Sequence, residues 1–267
     1  TSIRMLCGLL KPDSGRVVMD GESMTGGGPG LRCRVGMCPQ EIMIWEKLTC
    51  LEQLEFLGEM YGLTAAHARE RGRLLLRDMG LEEKCHARGA TLSGGMKRRL
   101  NLALALVHDP AIVVLDEPEA GLDPQSRVMV REYVRSLARR KTVIVTTHNM
   151  DEADRVADRV AIVDHGALLV IDTSAALKSR VGEGDVLEVE IACAPERART
   201  ALAFLDGEAA VECVGHEVVV RALDAVNLLP GIVRALSDAG CGPGAVRIRQ
   251  NSLEDVFINL TGRRLPS

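Results

Sequence analysis

The stretch "AIVVLDEPEAGLDP", residues 111–124, opens with a short apolar run and ends in turn chemistry. An apolar run of this length, bounded by a Pro on each side, is the pattern of a buried parallel strand. Asp116 and Glu117 close that run. In an open α/β sheet, ligands sit at the carboxyl ends of the strands. Successive strand residues point to opposite faces, so one carboxylate can face a metal and its waters while the other faces an attacking water. Carboxylate oxygens suit Mg²⁺. Read alone, the pair fits equally well a helix-capping acid beside a solvated neighbour. Asp123 and Pro124 then start a helix, "DPQSRVMVREYVRSLARR", as cap and first helical residue.

Outward from this strand the chain alternates. "KTVIVTTH" (141–148) is a second buried strand, and "CRVGMCPQ" (33–40) a third. From Thr49 to Ala105 the apolar spacing is mostly helical. "RVAIVDHGALLVID" reads as two strands about an Asp-His-Gly turn. "RVVMDGES" reads as a short strand with an Asp20-Gly21 turn, "MTGGGPG" (24–30) as a loop, and residues 1–10 as a helix stopped by "KPDSG". Alternating buried strands and helices imply an α/β fold, a parallel sheet with helices on both faces. Composition changes at "KSRVGEGD", and a βαββαβ order follows from 186 to 249, the ferredoxin-like unit. A closing helix, "SLEDVFINLTG", comes after it. These patterns place one domain at 1–183 and a second at 184–267.

Composition narrows the function. The chain has 267 residues, 46% hydrophobic, and a net charge of −4. That balance argues against a nucleic-acid partner, which selects basic surfaces. No apolar stretch reaches the roughly 18 residues of a membrane span. The eight Cys form no CxxC pair, which argues against zinc; they are expected to be reduced thiols. Aromatics are only 2%, so the core has to be aliphatic.

Three further stretches carry chemistry. Ser93-Gly94-Gly95 precede a helix. Its free N–H groups and positive end suit a phosphate, and the glycines permit close approach. An ordinary Ser cap explains the same residues. His148 ends one strand, where it could bond a phosphate or orient a water. Gln40 ends another, where its amide could touch a metal or a water. Each taken singly fits a satisfied polar residue or a loop side chain.

Taken together, "PQ", "LSGGMKRRL", "VVLDEPEAGLDP" and "VTTH", in this order, resemble the ATP-binding subunit of ABC transporters over residues 1 to about 180. The resemblance implies a P-loop NTPase-like sheet with a helical subdomain at about 48–105. It implies that Gln40 matches the Q-loop, and Ser93, Gly94 and Gly95 the signature loop. Asp116 then matches the metal carboxylate, Glu117 the general base, Asp123 the D-loop and His148 the switch histidine. ATP and Mg²⁺ are the implied ligands, with Gln40 also touching the metal. A transmembrane permease and a second, head-to-tail ATP-binding subunit are the implied partners, at the cytoplasmic face of the membrane. The Gln40–Trp45 region is expected to face the permease. The tail "SLEDVFINLTGRR" resembles the drug-efflux branch. Two positions depart from the family pattern: Met96 where Gln is frequent, and Glu119 where Thr or Ser is usual. The second adds a negative charge near the expected nucleotide interface.

In this family a loop G-x-x-x-x-G-K-[ST] feeds a helix that reads like "TSIRMLCGLL". No such loop occurs within the 267 residues. The resemblance therefore implies that Thr1 matches the residue just after that motif, as a possible α-phosphate contact. The chain as given is expected to bind ATP poorly and to be inactive alone, because the loop supplies backbone donors and a Lys to the phosphates. The rival reading is a non-catalytic interaction module of the same fold. An ABC-type ATPase acting on DNA or ribosomes would show long heptads or a second cassette, and neither is present.

Overall fold

After a short antiparallel pair, β1 Val18–Met19 and β2 Glu22–Ser23, the chain forms a three-stranded sheet of order β3-β4-β5, in which β4, Ile112–Asp116, lies between β3, Val35–Cys38, and β5, Thr142–Thr146. Both pairings are parallel, as the apolar runs predict. The register sets Cys38 beside Leu115 and Asp116 beside Thr146, so the carboxyl ends of all three strands share one edge. The computed structural model describes residues 1–19, 21–23, 33–181, 184–207, 209–223 and 225–262. The expected 24–30 loop and Asp20 lie outside the described residues.

Val113, Val114 and Leu115 are fully buried, which is why the run carries no polar residue before Asp116. Gly36 of β3 is required by packing. A Cβ there would lie 2.1 Å from the Ala105 carbonyl oxygen and 2.7 Å from Pro110 Cγ. The close approach brings β3 under the helix Gly94–Leu106.

The helical segment holds Cys50–Met60, Ala65–Asp78 and Gly94–Leu106. Each is capped by a hydroxyl: Thr49 in a capping box with Glu52, then Thr64, then Ser93. Leu54, Leu76, Met79, Leu81, Leu100 and Leu106 are fully buried and form an aliphatic core. The first helix is shorter than its apolar spacing predicts. It runs Ser2–Leu6 and ends where Gly8 takes φ +69°, leaving Leu9 exposed.

The chain forms two compact units, Thr1–His148 and Asn149–Ser267. Within the second, Val160–Asp164 and Ala167–Asp172 form the expected hairpin (β6, β7). Strands β8 Asp185–Glu190, β9 Ala210–Val214, β10 Glu217–Ala222 and β11 Val246–Gln250 form an antiparallel sheet of order β11-β8-β10-β9. With helices Pro195–Ala201 and Ala225–Asp238 between them, this is the βαββαβ arrangement expected from the pattern. Leu187, Val189, Val218 and Val220 pack on Leu202, Ile232 and Leu236.

The division at His148–Asn149 falls well ahead of the composition break near 183. The reason is the closing helix, Leu253–Thr261, whose Leu253 and Val256 are buried with Val160, Ile162 and Leu177. Residues 149–181 therefore pack with the end of the chain, a long-range contact that a local composition shift does not report. The cysteines also differ from expectation. Cys193 and Cys241 form a disulfide across 48 residues of sequence, a separation that no short motif announces.

Candidate functional site

The shared carboxyl edge of β3, β4 and β5 gathers Gln40, Asp116, Glu117 and His148. Thr146, the last residue of β5, donates its hydroxyl to Asp116 Oδ1. The backbone N–H of Glu117 reaches back to Thr146, 3.1 Å from its carbonyl oxygen and 3.2 Å from its hydroxyl. This anchors the first residue after β4 to β5. Glu117 leaves the strand with φ +51°, in the left-handed region that a non-glycine residue rarely occupies. The turn aims its carboxylate along the sheet edge. Oε1 of Glu117 lies 2.8 Å from Nδ1 of His148, within hydrogen-bond reach when that nitrogen carries its proton. The Glu117 side chain is 16% exposed and that of His148 80%, so the pair has a shielded carboxylate and an open imidazole.

Among the described residues, one carboxylate oxygen of Asp116 has no hydrogen-bond partner, and neither does the exposed Gln40 amide. Mg²⁺ bound with phosphates takes one or two protein oxygens and keeps several waters. These two residues fit that modest demand. Among the described residues no group of three or more His, Cys, Asp and Glu is placed to hold a metal by itself.

Ser93 caps the helix Gly94–Leu106, with its Oγ accepting from the Met96 N–H at 3.3 Å. Ser93 and Gly94 are exposed, and nothing lies within 4 Å of a Cβ placed on Gly94. The N–H groups at the start of this helix are thus open to an anion. A Cβ on Gly95 would come 3.6 Å from Asp123 Oδ2, so Gly95 and Asp123 are neighbours. Asp123 caps the helix Pro124–Ala138 by accepting the Ser126 N–H at 3.0 Å. Hydrogen bonds from Ser126 hold its carboxyl below the usual carboxylate range. Thr1 stands apart: it precedes the helix Ser2–Leu6, is exposed, and its side chain makes no capping bond.

Sequence reasoning missed the residues that hold this edge together. Asn101 donates to the carbonyls of Pro39 and Glu41 and accepts from the Met43 N–H at 3.2 Å, which shapes the segment after Gln40. Arg98, one helical turn earlier, donates to backbone carbonyls on both sides of the edge. Asn101 interrupts the apolar run Leu100–Val107, and that was its available signal; Arg98, inside the basic run Lys97–Arg99, gives none. Trp45 is half-exposed and meets Phe56 edge to face at 5.6 Å, beside the exposed Ile42 and Met43.

Two family models match the chain. One describes the ABC transporter and covers residues 1–120; the other describes an AAA domain, a putative AbiEii toxin of a type IV TA system, and covers residues 88–154. The linearmycin resistance ATP-binding protein LnrL of Bacillus subtilis is 34% identical over 99% of this chain and 86% of its own length. A Nod factor export ATP-binding protein I of Ralstonia nicotianae is 38% identical over 99% of this chain and 82% of its own. The daunorubicin/doxorubicin resistance ATP-binding protein DrrA of Streptomyces peucetius is 37% identical over 98% and 80%. Among solved structures, the ATP-binding subunit of an ABC transporter superposes with TM-score 0.61 at 27% identity, over 67% of this chain and 75% of its own. A dimeric ATP-binding cassette in a post-hydrolysis state, bound to ADP and Pi, superposes with TM-score 0.59 at 23% identity, over 64% and 78%. At that identity the second likeness speaks to the fold alone.

Proposed function

The chain belongs to the ABC transporter ATP-binding family, a family of ATPases, and from that premise we propose that it powers efflux of a drug-like molecule through a separate transmembrane permease. Similarity to resistance and export ATP-binding proteins supports the direction of transport. The same similarity removes the ground for a non-catalytic interaction module. The exposed Ile42, Met43, Trp45 and Phe56 are an apolar surface suited to the permease, which would hold the subunit at the cytoplasmic face. No helix among the described residues is long and apolar enough to cross a membrane. The ATPase domain is proposed to span 1–183 and the accessory ferredoxin-like domain 184–267.

The observation that carries the catalytic reading is Glu117, turned by its left-handed backbone to within 2.8 Å of His148 at the carboxyl edge of the sheet. Glu117 takes the proton of the water that attacks the γ-phosphate of ATP, giving ADP and phosphate. His148 orients Glu117 and faces the phosphate with its exposed ring. Asp116 and Gln40 would hold Mg²⁺, which when bound offsets phosphate charge. Ser93, Gly94 and Gly95 present open N–H groups to the nucleotide of a second, head-to-tail subunit, with Asp123 beside them. Thr1 is assigned to the α-phosphate end.

Hydrolysis is to be assayed with a strand and a G-x-x-x-x-G-K-[ST] loop joined ahead of Thr1, since the 267 residues contain none. Glu117→Gln should retain MgATP binding and lose about 10²–10⁴ in turnover, the usual cost of a missing general base. Turnover near the parent rate would refute the assignment.

A further inference from the structure

Arg98 lies on the helix Gly94–Leu106 and is only 3% exposed. A guanidinium carries five N–H donors in a rigid plane. All five are taken by backbone carbonyls. Nε donates to Pro118 at 3.3 Å, Nη1 to Pro39 at 2.7 Å and to Gln40 at 2.8 Å, and Nη2 to Asp116 at 2.6 Å and to Glu117. Among the described residues no carboxylate forms an ion pair with it. Burying a charge without a counter-ion is costly unless its hydrogen bonds are complete. Here the arrangement satisfies every donor, and it does so only if the carbonyls after β3 and after β4 keep their present positions.

Those carbonyls belong to the two segments that carry the candidate chemistry. Glu117 holds φ +51°, a strained conformation that persists only where its surroundings over-determine it. The Nη2 group gripping the carbonyls of Asp116 and Glu117 supplies that determination.

We infer that Arg98 is a positioning residue for hydrolysis: it fixes the backbone of Gln40 and of Asp116–Pro118, and so places the Glu117 carboxylate. It also joins these residues to the helix that begins at Ser93-Gly94-Gly95. In the head-to-tail arrangement that helix start serves the other nucleotide, so Arg98 links the two ATP sites through one side chain. The inference rests on the reading of Glu117 as the base.

Arg98→Lys keeps the charge but offers three donors from a point rather than five from a plane. In the 267-residue chain labelled with ¹³C, the carbonyl resonances of Gln40, Asp116 and Glu117 should shift upfield together in Arg98→Lys and in Arg98→Gln. With the phosphate loop joined, Arg98→Lys should lower kcat about 10–100-fold, as misplaced catalytic groups do. KM for MgATP should rise by a smaller factor than kcat falls, because the clamp grips the backbone of Asp116 and Gln40 and not the side chains that would hold Mg²⁺, whereas the left-handed turn of Glu117 depends on it directly. If Arg98→Lys turns over at the parent rate while Glu117→Gln does not, the Glu117 reading stands and this inference falls. If Glu117→Gln itself turns over normally, the base assignment fails, and unmoved carbonyl resonances would overturn the clamp separately. A measurement on the unmutated chain guards against variants that do not fold. The Nη protons of Arg98 should give separate, slowly exchanging signals, and one averaged signal would overturn the proposal.

Discussion

Glu119 and Arg131 form a two-pronged ion pair, Nε to Oε1 at 3.1 Å and Nη2 to Oε2 at 2.7 Å, with Glu119 only 5% exposed. Glu119 departs from the family pattern of Thr or Ser, and as a bare carboxylate it would place negative charge beside the nucleotide interface. The structure directs that charge inward, onto the helix Pro124–Ala138 that carries Arg131. The pair therefore compensates a local departure and ties the loop after Glu117 to that helix. Removing one member of a buried pair strands the other. Glu119→Thr alone and Arg131→Met alone should each destabilise the chain by about 3 kcal/mol. Glu119→Thr combined with Arg131→Met should recover most of that loss. Urea unfolding of the four proteins of this cycle measures it; strictly additive single losses would mean the two residues do not act as a pair.

The proposed head-to-tail arrangement makes a prediction about assembly. With the phosphate loop joined, Glu117→Gln should hold ATP without hydrolysing it, and each nucleotide should then bridge the Asp116 edge of one chain and Ser93–Gly95 of another. That protein should elute as a dimer with MgATP and as a monomer without it. Nothing lies within 4 Å of a Cβ at Gly94, so the phosphate-facing loop has no bulk to resist a ligand. Adding Ser93→Arg should put a side chain into that space and abolish the dimer. Light scattering distinguishes the outcomes, and a dimer that survives Ser93→Arg would refute the sandwich geometry.

Legibility followed the range of each interaction. Ile112–Leu115 was readable as a buried strand because burial on both faces demands an unbroken apolar run. Gln40, Asp116, Glu117 and His148 were readable as a group because each lies at the carboxyl end of a strand or within two residues beyond it, and the register brings those ends together. Arg98 was not. In "MKRRL" it resembles a solvated basic residue, and its five partners are backbone carbonyls, which have no signature in a sequence. Arg131 lies 12 positions from Glu119, across a loop–helix junction where no periodicity applies. The division at His148–Asn149 depends on Leu253 and Val256 reaching Leu177, a contact set by tertiary packing.

The disulfide between Cys193 and Cys241 makes a redox prediction. Closing a loop of 48 residues restricts the unfolded chain, and by the loop-entropy relation it contributes about 4 kcal/mol. It joins the segment before the helix Pro195–Ala201 to the segment after Ala225–Asp238, so its effect should be confined to the second unit. Thermal scans with and without reductant should show a lower transition when the bond is reduced. Cys241→Ser should behave like the reduced protein and respond no further to reductant. A scan that reductant leaves unchanged, with two additional thiols titrated, would show that the bond adds no stability.

Asp255 predicts an acid-sensitive second unit. It is 4% exposed, and burial alone would raise its pKa. Hydrogen bonds from Arg249, with Nη1 to Oδ2 at 2.6 Å and Nη2 to Oδ1 at 3.0 Å, overcome that and hold the carboxyl well below the usual range, helped by Ser252. Arg221 lies 3.3 Å from Asp255, so this carboxylate fastens the closing helix to strands β10 and β11, and Arg249 carries the link on to Glu188 of β8 at 2.7 Å. The sign follows from the depressed value. An unfolded Asp titrates near about 3.9, so the folded state binds the proton less readily than the unfolded state below that pH. The stabilisation is fully present above roughly pH 5 and is lost as pH falls through 4 towards the lower folded value. Asp255→Asn should therefore be less stable at pH 7 and show a flatter loss of stability between about pH 5 and 2. Its neutral amide cannot pair with Arg249, so the cost at pH 7 should be about 3 kcal/mol. Denaturant unfolding at a series of pH values checks both parts. Parallel acid profiles for the parent and the variant would mean that the acid sensitivity of this unit arises at other carboxylates.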